Sequence, residues 1–230
     1  MEPTGERLLA NLEDVRHRIA AAAERSGRAA EAVRLVAVTK IAPDNLVRRL
    51  IDAGQKDLGE NRAQQLRDRA AEMEGLGIRW HMIGRLQRNK VKYVVPTAAM
   101  IHSVDSLALA EAISRRALAE GCCAACLLEI NSGEEQKGGV SPDEAPALAA
   151  AAAALAAIDL VGLMTMAPLA ENPETVRPAF ARLRDLRDRL NRGAGLPHPL
   201  RELSMGMSQD YEVAVEEGAT IVRIGTALFR

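Results

Sequence analysis

The feature that most limits what this chain can fold into is a series of short apolar segments set between longer helical ones. Eight such segments occur, at 35–40, 57–61, 79–84, 100–105, 124–131, 160–166, 202–207 and 220–226. Strands covered on both faces read as near-continuous apolar runs, which is what a parallel sheet flanked by helices requires. The intervals carry helical signals. Phe180, Leu183, Leu186 and Leu190 share one face of the charged segment 177–190. Ser141-Pro142-Asp143-Glu144 combines an N-cap, a proline and a capping-box glutamate, and Asn172-Pro173-Glu174 offers a second cap. Ser208 is placed to cap 209–217, which Gly218 would end. Eight strands alternating with helices predict an α/β fold, a (β/α)8 TIM barrel forming one domain over 1–230. A doubly wound open sheet would usually carry a glycine-rich turn after its first strand, and Lys40-Ile41-Ala42-Pro43 has none. An extra N-terminal helix precedes the first strand, with Leu8, Leu12, Val15, Ile19 and Ala22 at helical spacing and Gly27 as its stop. It is expected to cover the barrel where a helix after strand eight is missing.

Aromatic residues make up only 2% of the 230 residues, so Leu, Val, Ile, Met and Ala must fill the core. A formal net charge of -1 gives no global attraction to nucleic acid or to an anionic membrane. The first twenty residues are charged throughout and offer no apolar core of a signal peptide. The most apolar stretch, 145–158, is mostly alanine and too short to span a bilayer. The expectation is a cytoplasmic monomer with neither nucleic acid nor membrane as partner. Cys122, Cys123 and Cys126 crowd one apolar segment and read as strand cysteines of the core rather than half of a zinc site.

In a barrel the chemistry belongs at the C-terminal ends of the strands. Polar residues gather there: Thr39-Lys40, Glu60-Asn61, His81 and Gly84-Arg85, Ser103 and Asp105, Glu129 and Asn131, and Thr165. Lys40 follows the apolar run 35–38. It reads either as a solvated lysine or as an amine suited to Schiff-base chemistry. Ser204-Met205-Gly206-Met207-Ser208 and Gly225-Thr226 end strands seven and eight, where barrels often bind phosphate. Small residues there let backbone N–H groups approach an anion, and hydroxyls add donors. Arg223 sits inside an apolar strand, which is costly unless the charge is paired or used. It reads as an ion pair with Glu60 or Glu129, or as a donor to a cofactor ring atom. His81 is either a hydrogen-bonded barrel histidine or a group near that ring, and Lys137 a solvated or phosphate-attracting residue of a mouth loop.

The segments VAVTK (36–40), GEN (59–61), WHMIGRLQRNK (80–90), GLMTMAP (162–168), SMGMS (204–208) and VRIGTALF (222–229) closely resemble the YggS/PROSC family of pyridoxal-phosphate homeostasis proteins, over nearly the whole chain and in the same order. The resemblance implies a fold like the N-terminal barrel of alanine racemase and pyridoxal 5'-phosphate as cofactor. By motif, Lys40 resembles the cofactor lysine and Arg223 the arginine facing the pyridine nitrogen. Ser204, Met205, Gly206, Gly225 and Thr226 fall where the family holds the phosphate, and Asn61 matches a polar residue near the ring. Arg85 departs from the histidine often found in its loop.

Two function classes follow. One is a carrier that holds pyridoxal phosphate on Lys40 and buffers it or delivers it to apoenzymes, with no established reaction. The other is an alanine-racemase-like enzyme acting on amino acids. A carbanion is best stabilised when the pyridine nitrogen is protonated, and an arginine beside it works against that. A two-base racemase also needs a base on the opposite face, which alanine racemases take from a tyrosine of a second domain. The tyrosines here are Tyr93 and Tyr211.

Overall fold

The computed structural model describes residues 4–133 and 138–230. Eight parallel strands close into a barrel in chain order. They are β1 (Arg34–Val38), β2 (Asp57–Glu60), β3 (Arg79–Met82), β4 (Ala98–Val104), β5 (Ala124–Glu129), β6 (Ile158–Met164), β7 (Glu202–Ser204) and β8 (Ile221–Ile224). β8 pairs with β1, Val36 lying opposite Arg223, so no edge is left open. The helices are α1 (Gly5–Arg25), α2 (Asp44–Asp52), α3 (Ala63–Glu72), α4 (Val91–Val94), α5 (Leu107–Glu120), α6 (Ala145–Ala153), α7 (Arg177–Gly193) and α8 (Tyr211–Glu216).

Alternation along each strand gives the sheet two faces. The outer face packs on the helices in one continuous core that includes Leu58, Trp80, Leu128, Leu163, Met205 and Phe180. The lumen holds a small apolar cluster of its own, built from Val36, Met100, Leu127, Met164 and Ile221. At Gly59 a Cβ would lie 2.9 Å from Val36 Cγ1 and 3.1 Å from Ile83 Cδ1, so β2 contributes no side chain at that level. The space is already filled by its neighbours.

α1 buries Leu8, Leu12, Val15, Ile19, Ala22 and Ala23 and packs on both α2 and α8, covering the β8–β1 side of the barrel. Thr4 caps it by accepting from the Arg7 amide. Asn11 ties it to the chain end by donating to the Leu228 and Arg230 carbonyls, each at 3.0 Å. No helix among the described residues is long and apolar enough to cross a membrane.

Three local expectations come out differently. The Ser141–Glu144 capping box forms, its hydroxyl 2.6 Å from the Glu144 carboxylate, but regular helix begins only at Ala145. Asn172 caps a single 3-10 turn, Pro173–Val176, that feeds into α7. Only Cys126 is a buried strand cysteine; Cys122 and Cys123 lie exposed in the connection between α5 and β5. Burial pushes the Cys126 thiol well up, which leaves it inert.

Candidate functional site

β1 delivers Lys40 just past its end, where the side chain is exposed. It lines a cavity of about 360 Å3 at the C-terminal mouth, together with Val38, Asn61, Ser208, Arg223 and Thr226. The volume falls within the range of about 300–1,000 Å3 common for small-molecule pockets. Asn61, at the end of β2, is approached so closely by Gly84 that a Cβ there would meet its carbonyl oxygen at 2.4 Å.

Arg223 is buried in β8 and reaches the floor of this cavity. Its Nη1 donates to Ser204 Oγ at 2.6 Å and its Nη2 to the Thr165 carbonyl at 2.9 Å. Burial pushes the guanidinium down to about 10, while Asp210 and Glu129 pull it back up. It therefore stays protonated at neutral pH. Glu60 takes no part in this, because its carboxylate accepts from Arg69 at 2.7 Å and from the Thr39 hydroxyl at 2.5 Å. Glu129 acts on Arg223 through its field. Burial and Asp105 raise its carboxyl, against the pull of Arg223 and Arg85.

The turn after β7 is shaped by Gly206. Its φ is +93°, and a Cβ would stand 2.6 Å from that of Ala214 and 2.9 Å from Tyr211 Cα. Its carbonyl accepts from the Arg223 amide at 3.0 Å, locking the turn to β8. Ser208 then stands beside the β8 end rather than on top of α8. Its Oγ accepts from the Gly225 amide at 3.3 Å and the Ala227 amide at 3.1 Å. With two N–H groups already accepted, the hydroxyl has its own proton left to donate toward the cavity. α8 instead begins after Asp210, whose Oδ1 accepts from the Met207 amide at 2.6 Å.

The sequence-predicted residues therefore divide. Lys40, Asn61, Arg223, Gly225 and Thr226 converge on one cavity. Ser204, Met205 and Gly206 are not among its lining residues. The Ser204 hydroxyl lies in the lumen against Arg223 and His102, Met205 packs in the outer core, and Gly206 shapes the turn. Arg85 is exposed, His81 is buried and hydrogen-bonded inside the barrel, and Lys137 lies outside the described residues. Sequence reasoning missed Arg69, His102 and the position of Ser208. Arg69 carries a signal: it shares the buried stripe of α3 with Ala63 and Leu66, where a charge needs a reason.

Comparison with known proteins places this geometry. Residues 10–230 match the family model of the alanine racemase N-terminal domain. The chain is 46% identical over 221 residues to the pyridoxal phosphate homeostasis protein of Aquifex aeolicus, covering 95% of each chain. The corresponding Escherichia coli K12 protein is 39% identical over 227 residues, with 95% of this chain and 94% of that one covered. This chain belongs to the pyridoxal phosphate homeostasis protein family. Among solved structures, PipY of Synechococcus elongatus with PLP bound superposes with a TM-score of 0.79 at 37% identity, covering 86% of this chain and 93% of that one. The family barrel is also that of alanine racemase. The Clostridium difficile enzyme matches with a TM-score of 0.76 at 18% identity, over 97% of this chain and 59% of that one, a likeness of fold.

Proposed function

We propose that this chain binds pyridoxal 5'-phosphate at the C-terminal mouth of the barrel, holds it covalently through Lys40, and buffers it or delivers it to apoenzymes. One observation carries the reading: an amine, a buried guanidinium and two hydroxyls from β1, β8 and the turn after β7 line the same cavity. The residues present fit the group. Gly225 leaves room beside Val38, where a Cβ would stand 3.3 Å from that of Val38. The Ser208 hydroxyl, fixed by two amides, and Thr226 suit a phosphate at that rim. When bound, pyridoxal phosphate supplies an aldehyde that condenses with a primary amine.

The chain's own residues then divide the work. Lys40 provides the amine. Ser208 and Thr226 would hold the phosphate through their hydroxyls beside Gly225, whose own amide is spent on Ser208 Oγ, and Asn61 would lie near the ring. Arg223, protonated, would donate to the pyridine nitrogen and keep it free of a proton, which would weaken the ring as an electron sink. Ser204 supports Arg223 rather than the phosphate. The racemase-like alternative needs a second base at the cavity. Tyr93 lies on the outside, its ring within 4.7 Å of the Arg67 guanidinium, and Tyr211 is buried at the start of α8. The described lining residues include no tyrosine or histidine. The relatives named as homeostasis proteins, and PipY with its bound PLP, support the carrier reading.

The test is an absorption spectrum of the protein loaded with pyridoxal phosphate, before and after borohydride, followed by peptide mapping. The pyridoxyl group is expected on Lys40; a label only on Lys56, Lys90, Lys92 or Lys137 overturns the assignment. Alanine incubated with the loaded protein in deuterium oxide is expected to keep its α-proton, and sustained exchange would favour the racemase reading.

A further inference from the structure

Behind Arg223 a line of buried polar side chains crosses the barrel. His102 Nδ1 in β4 lies 2.9 Å from Ser204 Oγ in β7, spanning the lumen between strands that are not neighbours. His102 Nε2 lies 2.9 Å from His81 Nδ1 in β3. His81 Nε2 lies 3.0 Å from Asp57 Oδ1, at the start of β2 and so at the opposite mouth. There Arg79 Nε also donates to Asp57 Oδ1, at 2.8 Å. His81, His102 and Ser204 are each no more than 2% exposed.

The protons in this line can be assigned one by one. Asp57 is an ionised carboxylate: burial pushes its carboxyl up, but the hydrogen bonds of His81 and Arg79 outweigh that and bring it down to about 2. An ionised carboxylate only accepts, so His81 Nε2 carries the proton that faces it. Burial first, and then the neighbouring His81, Arg223 and Arg34, hold His102 neutral, so only one of its ring nitrogens carries a proton. Ser204 Oγ accepts from Arg223 Nη1, and its own hydroxyl proton has His102 Nδ1 as acceptor, so a neutral His102 carries its proton on Nε2 and donates it to His81 Nδ1. Every bond points from Arg223 toward Asp57, and each imidazole has one permitted tautomer.

We propose that Asp57, His81, His102 and Ser204 form a one-directional hydrogen-bond chain that orients the Arg223 guanidinium at the cavity floor, making Asp57 a positioning residue for the pyridine ring from the far end of the barrel. The chain commits Ser204 to act as acceptor. With the Thr165 carbonyl it fixes two corners of the guanidinium plane and leaves the remaining donors to the cavity. The proposal rests on the reading that the ring lies against Arg223, but its first test does not.

That test is nitrogen-15 NMR of histidine-labelled protein without cofactor. Both His81 and His102 are expected as neutral Nε2–H tautomers; a dominant Nδ1–H form of His102 overturns the proposal. This readout stands even if the Lys40 assignment fails. The second test is a cycle of Asp57→Asn, Ser204→Ala and the double variant, each checked for fold by circular dichroism and titrated with pyridoxal phosphate. Distant sites without shared partners normally add. Here Asp57→Asn is expected to weaken binding about fivefold and Ser204→Ala about tenfold, with the double variant within about twofold of Ser204→Ala. Asp57→Asn should also give His102 a substantial Nδ1–H population. Multiplicative losses, or an unchanged His102 tautomer in a folded Asp57→Asn protein, overturn the proposal. If Asp57→Asn fails to fold, the tautomers of the unaltered protein decide the matter.

Discussion

Arg69 donates to the Thr39 carbonyl at 2.6 Å, one residue before Lys40. The same guanidinium reaches the Ala42 carbonyl, pairs with Glu60 at 2.7 Å and meets Asp44 at 3.0 Å. Gln65, also on α3, donates to the Lys40 carbonyl at 3.0 Å. α3 thus holds both flanks of the loop that presents Lys40, while the lysine side chain stays free to face the cavity. Removing one partner of a buried pair leaves the other charge uncompensated, at a cost of about 3–5 kcal/mol. Arg69→Leu should lose that much in urea unfolding, and Glu60→Gln in the same background should restore part of it. A loss under about 1 kcal/mol would show that the pair does not hold this loop.

The phosphate rim gives a second prediction. Ser208→Ala removes a hydroxyl whose acceptor side is filled by Gly225 and Ala227 amides. Pyridoxal phosphate should bind about tenfold more weakly, or about 1.4 kcal/mol, while pyridoxal, which lacks the phosphate, should bind the variant and the parent alike. Equilibrium dialysis with both ligands decides it: equal losses would remove Ser208 from the phosphate site.

Stability should depend on pH in two steps. The folded-state pKa of His102 lies well below its ordinary value, so below about pH 6.5 the unfolded chain binds a proton that the folded chain refuses. Stability then falls by about 1.4 kcal/mol per pH unit as pH drops. The Asp57 carboxyl is held at about 2 against 3.8. Its contribution is complete above the unfolded value and is lost as pH falls from about 4 to about 2, amounting to about 1–2 kcal/mol because Arg79 is itself solvent-exposed. Urea midpoints at about pH 7.5, 6 and 5 measure the first step, and His102→Gln should flatten it. A parent protein of constant stability across that range would mean His102 is not buried neutral.

Two glycines at the same mouth should respond differently. Gly206→Ala puts an L side chain at φ +93° and drives its Cβ to 2.6 Å from that of Ala214. Strain of about 1–3 kcal/mol adds to that clash, so thermal unfolding should shift sharply downward. Gly225→Ala meets Val38 only at 3.3 Å and has no such torsional penalty. It should stay folded and narrow the cavity, showing its effect in cofactor affinity. Similar stability losses for both would contradict this division.

Much of the architecture was legible in the chain. The alternating segments announced the strands because a parallel barrel needs both faces of each strand apolar, and the i, i+3, i+4 spacing of α1 announced a helix that packs on one side. His102 was within reach: it is two residues from Met100 on β4, and period two puts both in the lumen. An apolar run does not mark where a strand begins, so it does not separate Cys122 and Cys123 from the buried Cys126. Serine before a helix usually caps it, and nothing local to Ser208 says that its hydroxyl will turn to the end of a neighbouring strand.

The sequence by itself determined the barrel, the helix that covers its β8–β1 side, and the placement of Lys40 at a strand end, since each depends on periodicities within a few residues. Tertiary structure decided what each polar group faces. Ser204 and Ser208 are four residues apart, yet one supports Arg223 inside the lumen and the other lines the cavity. The positive φ of Gly206 between them turns the chain, and the partners of each hydroxyl come from elsewhere in the fold: His102 is 102 residues from Ser204, and Ser208 accepts from the Gly225 and Ala227 amides. A side chain's direction at a chain reversal is set by backbone torsions and by such distant partners, and neither leaves a periodic trace in the sequence.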